Sequence, residues 1–296
     1  MKTDARLPSW LTKPLSDPEE TRLVRRTLAS HRVNTVCEEA RCPNRGDCFA
    51  RGTATFMILG DRCTRDCRFC AVSHGEPRDV DAAEPDEVAS AAAALGLDFV
   101  VVTSVTRDDL EDGGAEHFAS TVRAIRRELP AAGVEVLVPD FRGSRESVDT
   151  VLWSEPEVYG HNVETVERLY GGVRYGADYG RSLDVLSAAA GSGALVKTAL
   201  MLGLGETREE LMRTLGDVRD AGAEIVYLGQ YLRPSSAHHP VERFVPPEEF
   251  DEIRDECLSM GFAWASAGPF VRSSYRAQEA LAAVEERRRA ACGREQ

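Results

Sequence analysis

The chain has 296 residues, a net charge of −13 and eight cysteines. The length allows one large α/β domain or two small ones. The acidic balance argues against a nucleic-acid partner and against binding to a membrane surface, because phosphate recognition needs clustered Lys and Arg. With no signal-peptide pattern and no apolar run of about eighteen residues, the cysteines indicate thiolate metal sites in a reducing cytoplasm rather than secreted disulfides.

The first 50 residues carry three cysteines, Cys37, Cys42 and Cys48, at the spacing C-x4-C-x5-C. Three thiolates this close together indicate one metal centre, because cysteine is the preferred ligand of zinc and of iron–sulfur clusters. The spacing alone does not separate a zinc site or a structural cluster from a reactive one.

A second triplet, Cys63, Cys67 and Cys70, has the spacing C-x3-C-x2-C and follows the first predicted strand. Iron–sulfur clusters that only carry electrons are normally held by four cysteines, and structural zinc is closed by four ligands. A cluster held by three thiolates has one iron open for chemistry. The alternatives are a zinc or disulfide loop and a ferredoxin-type site whose fourth cysteine lies elsewhere.

Strand-like and helix-like segments then alternate along the chain. Strands are predicted at 55–60, 98–105, 134–141, 156–162, 194–202 and 224–232, and helices at about 86–96, 115–129, 145–153, 182–190 and 208–221. The strands are nearly continuous apolar runs, which is typical of a sheet covered on both faces. The pattern predicts an α/β fold built as a partial parallel (β/α)6 TIM-like barrel, although a doubly wound open sheet has the same periodicity.

Polar and glycine-rich words lie at or near the carboxyl ends of these strands, where parallel barrels build their sites. Candidate contacts for a ligand there are Ser104, Asn162, Glu164, Lys197, Gly203 and Gly205. The two glycines lack Cβ atoms, so a ligand can approach their backbone, but the word GLGE on its own does not identify a ligand site. Each of the four polar residues is equally compatible with a loop hydrogen-bonding role.

Residues 245–296 follow the barrel and contain the helical pattern PPEEFDEIRDECLSM, the word GPFVRSSYRA and a final helix. Ser273 or Ser274 is placed to cap that final helix, which is predicted to begin at about Tyr275. Cys257 is predicted to be a small core residue. Cys292 has no partner that the sequence identifies.

The stretch TVCEEARCPNRGDCFARGTATFMILGDRCTRDCRFCAV, which contains both triplets, resembles the lipoyl synthase family of radical S-adenosylmethionine (SAM) enzymes. The resemblance continues through VVTSVTRDDLEDGGAEHF, HNVETVERLY, KTALMLGLGET and GPFVRSSYRA, and covers roughly residues 9 to 277. The chain departs from the family pattern at Tyr175, at Gly160 and in WASAG at 264–268. None of these positions is a proposed cluster ligand.

This resemblance implies two [4Fe-4S] clusters. Cys63, Cys67 and Cys70 would hold the cluster that binds SAM, and the six strand-end residues above would contact SAM. Cys37, Cys42 and Cys48 would hold an auxiliary cluster, with Ser274 as its fourth ligand. The N-terminal extension 1–50, the barrel 51–244 and the C-terminal extension 245–296 would form one integrated catalytic unit.

The implied reaction inserts sulfur at C6 and C8 of an octanoyl chain linked to a lysine of a carrier domain. Those carbons have no acidic proton, so hydrogen-atom abstraction by a radical derived from SAM is the available route, and the auxiliary cluster is the implied sulfur donor. The implied partners are octanoylated lipoyl carrier domains, either 2-oxoacid dehydrogenase E2 subunits or the glycine cleavage H protein. An electron donor such as ferredoxin or flavodoxin and an iron–sulfur carrier protein are also implied.

Two other functions are compatible with parts of the pattern. A different radical SAM sulfurtransferase, for example one similar to biotin synthase, would cleave SAM but would not accept the octanoylated carrier. A two-cluster electron carrier or a zinc-binding scaffold would have fully ligated sites and would not cleave SAM.

Overall fold

The computed structural model describes residues 7–13, 17–19 and 21–292, and the side chains of this range up to residue 289. One eight-stranded sheet organises the molecule, with its strands in chain order. The strands are β1 (Asn34–Thr35), β2 (Thr55–Ile58), β3 (Phe99–Ser104), β4 (Gly133–Leu137), β5 (Val158–Gly160), β6 (Leu195–Leu202), β7 (Ile225–Gln230) and β8 (Trp264–Gly268). β1 pairs antiparallel with β2, and β2 to β8 are parallel. No pairing among the described residues joins β8 back to β1 or β2, so the barrel is open.

Helices follow most of the parallel strands. The α-helices are α1 (Arg22–His31), α2 (Val36–Glu39), α3 (Arg45–Ala50), α4 (Glu84–Ala94), α5 (Ala115–Glu128), α6 (Arg145–Leu152), α7 (Tyr170–Val173), α8 (Tyr179–Gly191), α9 (Arg208–Asp220), α10 (Pro247–Met260) and α11 (Ala277–Cys292). Short 3-10 helices occupy Ser9–Leu11, Phe141–Gly143 and Glu167–Leu169. No helix in the described part of the chain is long and apolar enough to cross a membrane.

Local sequence signals set several helix ends. α9 begins at a capping box in which the Thr207 hydroxyl and the Glu210 carboxylate each accept a backbone N–H bond from the other residue. α10 ends at Gly261, which has a φ of 103°. A left-handed residue is the usual helix stop, and glycine adopts that conformation without steric cost.

The prediction of a partial parallel barrel is confirmed, and each of the six predicted strands is present. The sequence reading missed β8, which adds a seventh parallel strand from within the C-terminal extension. β8 consists of the small and polar run WASAG, only two of whose five residues are buried. It therefore lacks the apolar, β-branched run by which the other strands were recognised.

The final helix seals one end of the barrel. On α11, Ala280 and Val284 are buried against Val158, Leu195 and Ile225, which lie at the amino-terminal ends of three neighbouring strands. This packing closes the amino-terminal end of the sheet with apolar side chains. The carboxyl ends of the strands are the ends that remain available for a site.

Candidate functional site

A cavity of about 540 Å³ lies at the carboxyl ends of the strands. Its walls include Thr103 on β3, Leu137 on β4, Ala199 on β6 and Gly229 on β7. The cavity is also lined by all six cysteines of the two triplets: Cys37, Cys42, Cys48, Cys63, Cys67 and Cys70. The two groups of thiols, which precede and follow β2 in the chain, thus line one cavity.

The loop after β2 presents the Cys63 sulfur to backbone donors. The N–H groups of Arg65 and Thr106 both lie 3.4 Å from Cys63 Sγ. The loop is closed on itself, because Cys63 N–H donates to the Ser73 carbonyl at 2.8 Å and Gly75 N–H donates to the Cys63 carbonyl at 3.0 Å. Backbone N–H groups directed at a cysteine sulfur are one of the means by which proteins stabilise iron–sulfur ligation.

A buried arginine fixes this loop to the rest of the barrel. The Arg65 guanidinium pairs with Asp108, at 2.6 Å and 2.8 Å, and with Asp140, at 2.6 Å and 3.0 Å. Asp108 and Asp140 follow β3 and β4, so the contacts cross two neighbouring strand ends. Arg65 holds the pKa of the Asp140 carboxyl down at about 2, against the opposing effect of its burial. Bidentate pairs of this kind restrict orientation as well as adding energy.

The N-terminal triplet, Cys37, Cys42 and Cys48, sits on two short helices and the turn between them. Cys37 is in α2, which begins where the Thr35 hydroxyl accepts a bond from Glu38 N–H at 3.3 Å. Cys48 is in α3, and Cys42 lies in the turn between the two helices, where its N–H donates to the Cys37 carbonyl at 3.1 Å. The short helices therefore direct three thiols of this segment toward the barrel mouth.

Burial keeps most of these thiols neutral in the metal-free protein. Burial raises the pKa of Cys37 and of Cys70 to about 12, and that of Cys67 to about 11 despite the nearby Arg174 cation. Burial also raises the pKa of Cys48. Iron binds the thiolate form, so loading this cavity requires the release of protons from buried thiols.

Ser274 lines the same cavity, on the segment between β8 and α11. The structure does not support the alternative that Ser273 or Ser274 caps the final helix. That helix begins at Ala277, two residues later than predicted, so the residue before it is Arg276. The Ser273 hydroxyl instead donates to Asn162 Oδ1 at 2.9 Å.

The donor set of six free cysteines suits iron–sulfur clusters, which cysteine thiolates hold. Among the described residues, no three His, Cys, Asp or Glu side chains converge closely enough to hold a single metal ion. Zinc would draw its sulfur ligands to about 2.3 Å from one point. In a four-iron cluster each thiolate binds a different iron, so three cysteines can surround the cluster without meeting at one point. No disulfide is present, because all seven cysteines whose side chains are described are free.

Three of the predicted ligand contacts, Ser104, Asn162 and Glu164, line the cavity. The Ser104 hydroxyl is buried without a hydrogen-bond partner among the described residues, as expected for a group that meets a ligand. Asn162 Nδ2 donates to Glu164 Oε1 at 3.0 Å, and burial raises the pKa of Glu164. These three polar groups lie on the barrel side of the cavity.

Glu164 also has an unusual backbone, with a φ of 70°. Its N–H donates to the Ala199 carbonyl at 2.9 Å, and its carbonyl accepts from Met201 N–H at 2.8 Å. Two bonds to β6 hold a conformation that costs energy for any residue with a Cβ. This backbone conformation places the Glu164 side chain at the cavity wall.

The other three predicted contacts have different surroundings. Lys197 is fully buried and pairs with Glu135 on β4 at 2.7 Å, outside the lining of the cavity. A Cβ on Gly203 would overlap the Arg243 carbonyl and the Gln230 side chain, so this glycine is required by packing of the chain itself. Gly205 lies against the Glu242 side chain. The arrangement therefore does not support contacts from these three residues to a ligand in the cavity.

Three histidines, His161, His238 and His239, make hydrogen bonds to backbone carbonyls. His161 is buried and bonds to the Val138 carbonyl at 2.9 Å, and His239 bonds to the Leu204 carbonyl at 2.9 Å. His238 bonds to the Cys70 carbonyl at 2.9 Å, which connects the loop after β7 to the loop that contains Cys63, Cys67 and Cys70. Cys257 is fully buried in α10, as predicted. The side chain of Cys292 lies outside the described residues.

The sequence reading missed several residues that shape the site. Arg65, Asp108 and Asp140 form the network above, and buried Arg174 donates to the Tyr170 hydroxyl at 2.9 Å beside the cavity. Asn44, between Cys42 and Cys48, is buried as well. Arg65 lies within the Cys63–Cys70 loop, but its partners Asp108 and Asp140 are 43 and 75 residues away in the chain. Spacing within a motif contains no signal for such pairs.

Comparison with known proteins assigns a superfamily to the central region. The family model described as "Radical SAM superfamily" matches residues 57–218. Among solved structures, methylornithine synthase (PylB) superposes with a TM-score of 0.56 at 14% identity, covering 84% of this chain and 72% of that protein. Streptococcus suis SuiB bound to S-adenosylmethionine superposes with a TM-score of 0.57 at 11% identity, covering 76% of this chain and 54% of SuiB. These likenesses establish the fold.

Curated relatives are much more similar in sequence. The chain is 49% identical to a lipoyl synthase of Rubrobacter xylanophilus over 288 residues, which cover 97% of this chain and 89% of that relative. It is 51% identical to a lipoyl synthase of Symbiobacterium thermophilum, over 96% of this chain and 89% of that relative. A lipoyl synthase of Methylococcus capsulatus is 50% identical over 94% of this chain and 88% of its own length.

Proposed function

This chain belongs to the lipoyl synthase family of the radical SAM superfamily, and from that premise we propose how its cavity performs the family's reaction. The enzyme inserts sulfur at C6 and C8 of an octanoyl group linked to a lysine of a lipoyl carrier protein. Its cofactors are SAM and [4Fe-4S] clusters. The observation that carries the proposal is that both cysteine triplets line one cavity.

Residue roles divide between the two sides of the cavity. In our proposal Cys63, Cys67 and Cys70 hold the cluster that binds SAM, while Cys37, Cys42, Cys48 and Ser274 hold the auxiliary cluster. When bound, the SAM-binding cluster together with SAM supplies a 5′-deoxyadenosyl radical, and the auxiliary cluster supplies sulfur. Ser104, Asn162 and Glu164 lie on the barrel wall, and we assign them to SAM.

The rest of the cavity suits an alkyl chain. Met57, Leu137, Val138, Leu200 and Leu232 contribute apolar lining beside the thiols. Octanoyl methylenes gain roughly 0.8 kcal/mol each on leaving water for such a surface. An alkyl chain bound against this apolar lining would displace water from around a reactive carbon, which limits side reactions.

The partners follow from the substrate and from the consumption of the sulfur donor. We propose octanoylated E2 lipoyl domains or the glycine cleavage H protein as carriers, and a ferredoxin or flavodoxin as electron donor. An iron–sulfur carrier protein would rebuild the auxiliary cluster after turnover. The reduced thiols that both sites require are compatible with a reducing compartment such as the cytoplasm.

A pair of matched variants tests the division of roles. The reconstituted Cys67→Ala protein, given SAM, a strong reductant and an octanoyl-lysine peptide without oxygen, is expected to form no 5′-deoxyadenosine. The Cys42→Ala protein is expected to form 5′-deoxyadenosine but no sulfur-containing peptide by mass spectrometry. Sulfur insertion by either variant at the wild-type level would contradict the assignment, and Cys257→Ala, which changes a buried thiol far from the cavity in α10, is the control.

A further inference from the structure

The residues between β8 and α11, Gly268 to Tyr275, form a segment that we call the C-terminal strap. Its residues Val271 to Tyr275 line the cavity, and Ser274 is among them. Ser274 makes no side-chain hydrogen bond within the described part of the chain, so its position depends on what holds its neighbours. The strap is held at three places.

The N-terminal extension holds the first place. Asn44 Nδ2 donates to the Phe270 carbonyl at 2.6 Å, while Asn44 Oδ1 accepts from Lys13 Nζ at 2.7 Å. The same Lys13 ammonium lies 4.8 Å from the centre of the Phe270 ring. Asn44 is buried, and both the oxygen and the nitrogen of its amide are hydrogen-bonded. The contact therefore fixes the position of the Phe270 carbonyl.

The second place is a close approach to β7. A Cβ on Gly229 would overlap the Val271 carbonyl and would lie 3.0 Å from the Arg272 guanidinium. The strap therefore runs directly against the backbone of a central strand. Only glycine allows this separation.

The third place is the bond from Ser273, the neighbour of Ser274, to the barrel. Ser273 Oγ donates to Asn162 Oδ1 at 2.9 Å, and Asn162 Nδ2 donates to Glu164 Oε1 at 3.0 Å. Glu164 is bonded through its backbone to β6, as described above. The hydrogen bonds from Ser273 to Asn162 and from Asn162 to Glu164 thus connect the strap to β6.

We propose that Asn162 is a positioning residue for Ser274: through Ser273 it holds the strap so that the Ser274 hydroxyl stays at the auxiliary cluster site. The inference rests on the proposed function, since it assumes that Ser274 is a cluster ligand. It adds a role for a residue that also faces the SAM side of the cavity. Loss of the Ser273–Asn162 bond should weaken the hold of the strap on the auxiliary cluster without removing any ligand.

The test uses full-length protein in which Cys63, Cys67 and Cys70 are all replaced by alanine, so that only the auxiliary cluster is reconstituted. Ser273→Ala, Asn162→Ala and the double variant are compared for the rate at which a chelator removes iron from the cluster. One lost hydrogen bond corresponds to a rate increase of about fivefold. The double variant should be no faster than Asn162→Ala alone, because Asn162→Ala already removes the bond to Ser273. Ser273→Thr keeps the hydroxyl and should behave as wild type.

A spectroscopic readout separates this role from general destabilisation. The Mössbauer signal of the iron bound to oxygen should broaden or diminish in Ser273→Ala and Asn162→Ala, while circular dichroism stays unchanged. Ser192→Ala, which removes a hydroxyl that bonds only to the Ala189 carbonyl at the end of α8, is the matched control.

Ser274→Ala distinguishes failure of the inference from failure of the assignment beneath it. If Ser274→Ala alters the cluster but Ser273→Ala and Asn162→Ala do not, the positioning role is overturned and the ligand assignment stands. If Ser274→Ala leaves the iron-loss rate and the Mössbauer spectrum unchanged, Ser274 is not a ligand, and the positioning role falls with it.

Discussion

Ser274 differs from the six cysteines of the cavity in its donor atom, which is oxygen. An oxygen ligand holds iron less tightly within a thiolate-preferring cluster than a cysteine sulfur does. We expect Ser274→Cys to assemble the auxiliary cluster normally but to insert sulfur at least tenfold more slowly, because the cluster must come apart to give up its sulfide. Iron content and the yield of sulfur-containing peptide measure the two properties. Full sulfur-insertion activity in this variant would contradict the proposed role of the serine.

A second prediction concerns His161, whose protonation changes the free energy of unfolding. Burial, with a contribution from the Arg174 cation, lowers the pKa of His161 to about 4 from its usual value of 6.5. Between pH 6.5 and 4 the unfolded chain therefore binds a proton that the folded chain does not, and the free energy of unfolding falls as the pH is lowered. The shift corresponds to a loss of about 3 kcal/mol over this range.

His161→Asn removes this titration and keeps an N–H that can donate to the Val138 carbonyl. Urea unfolding of the metal-free protein at pH 6.5 and pH 4.5 should show a smaller loss of stability in the variant than in the wild type. Carboxylates remote from His161 titrate in both proteins and cancel in the comparison. An equal loss in the two proteins would mean that His161 accepts a proton in the folded state.

The sequence predicts the role of a side chain well when its partners are close in the chain, and poorly when they are distant. The triplets are visible because their thiols are close together in the chain. The sequence predicts Lys197 as a ligand contact because it lies at or near a strand end, but its partner Glu135 is 62 residues away. A buried lysine and a buried carboxylate stabilise each other only as a pair, and the sequence does not show which strands bring them together.

At the scale of elements, β7 and the C-terminal strap test the packing account. Gly229→Ala places a methyl group against the Val271 carbonyl, so we expect the strap to shift and auxiliary cluster incorporation to fall at least twofold. Iron and sulfide analysis of the reconstituted protein measures this. Gly216→Ala, in the middle of α9 with open space at its Cβ, is the control and should raise the free energy of unfolding by about 1 kcal/mol. Equal cluster content in the two variants would show that the strap does not depend on this contact.

Element prediction succeeded where one physical signal dominated. Val100 and Val102 on β3 are buried within an apolar run, and such a run is recognisable wherever it occurs. β8 and β1 exist because neighbouring strands offer them hydrogen bonds. β1 has two residues and β8 has five, so pairing rather than composition makes each of them a strand.

At the scale of the whole molecule, residues of the two extensions and of the barrel line one cavity. The N-terminal extension supplies three cysteines and Asn44, and the barrel supplies the loop of Cys63, Cys67 and Cys70 together with Asn162. The C-terminal extension supplies β8 and the strap. Hydrogen bonds from Asn44 and Asn162 reach the strap from the N-terminal extension and from the barrel. Such an arrangement suits a reaction in which a radical formed at one centre must lead to sulfur transfer from another.

The central claim is that sulfur passes from the auxiliary site to the octanoyl chain within one cavity. The measurement that tests it most directly is a single anaerobic turnover by protein reconstituted with isotopically labelled sulfide, given SAM, reductant and an octanoylated carrier domain. The account predicts a carrier with two labelled sulfur atoms, formation of 5′-deoxyadenosine and loss of the auxiliary cluster. Formation of 5′-deoxyadenosine with the octanoyl group left free of labelled sulfur, while the auxiliary cluster stays intact, would contradict it.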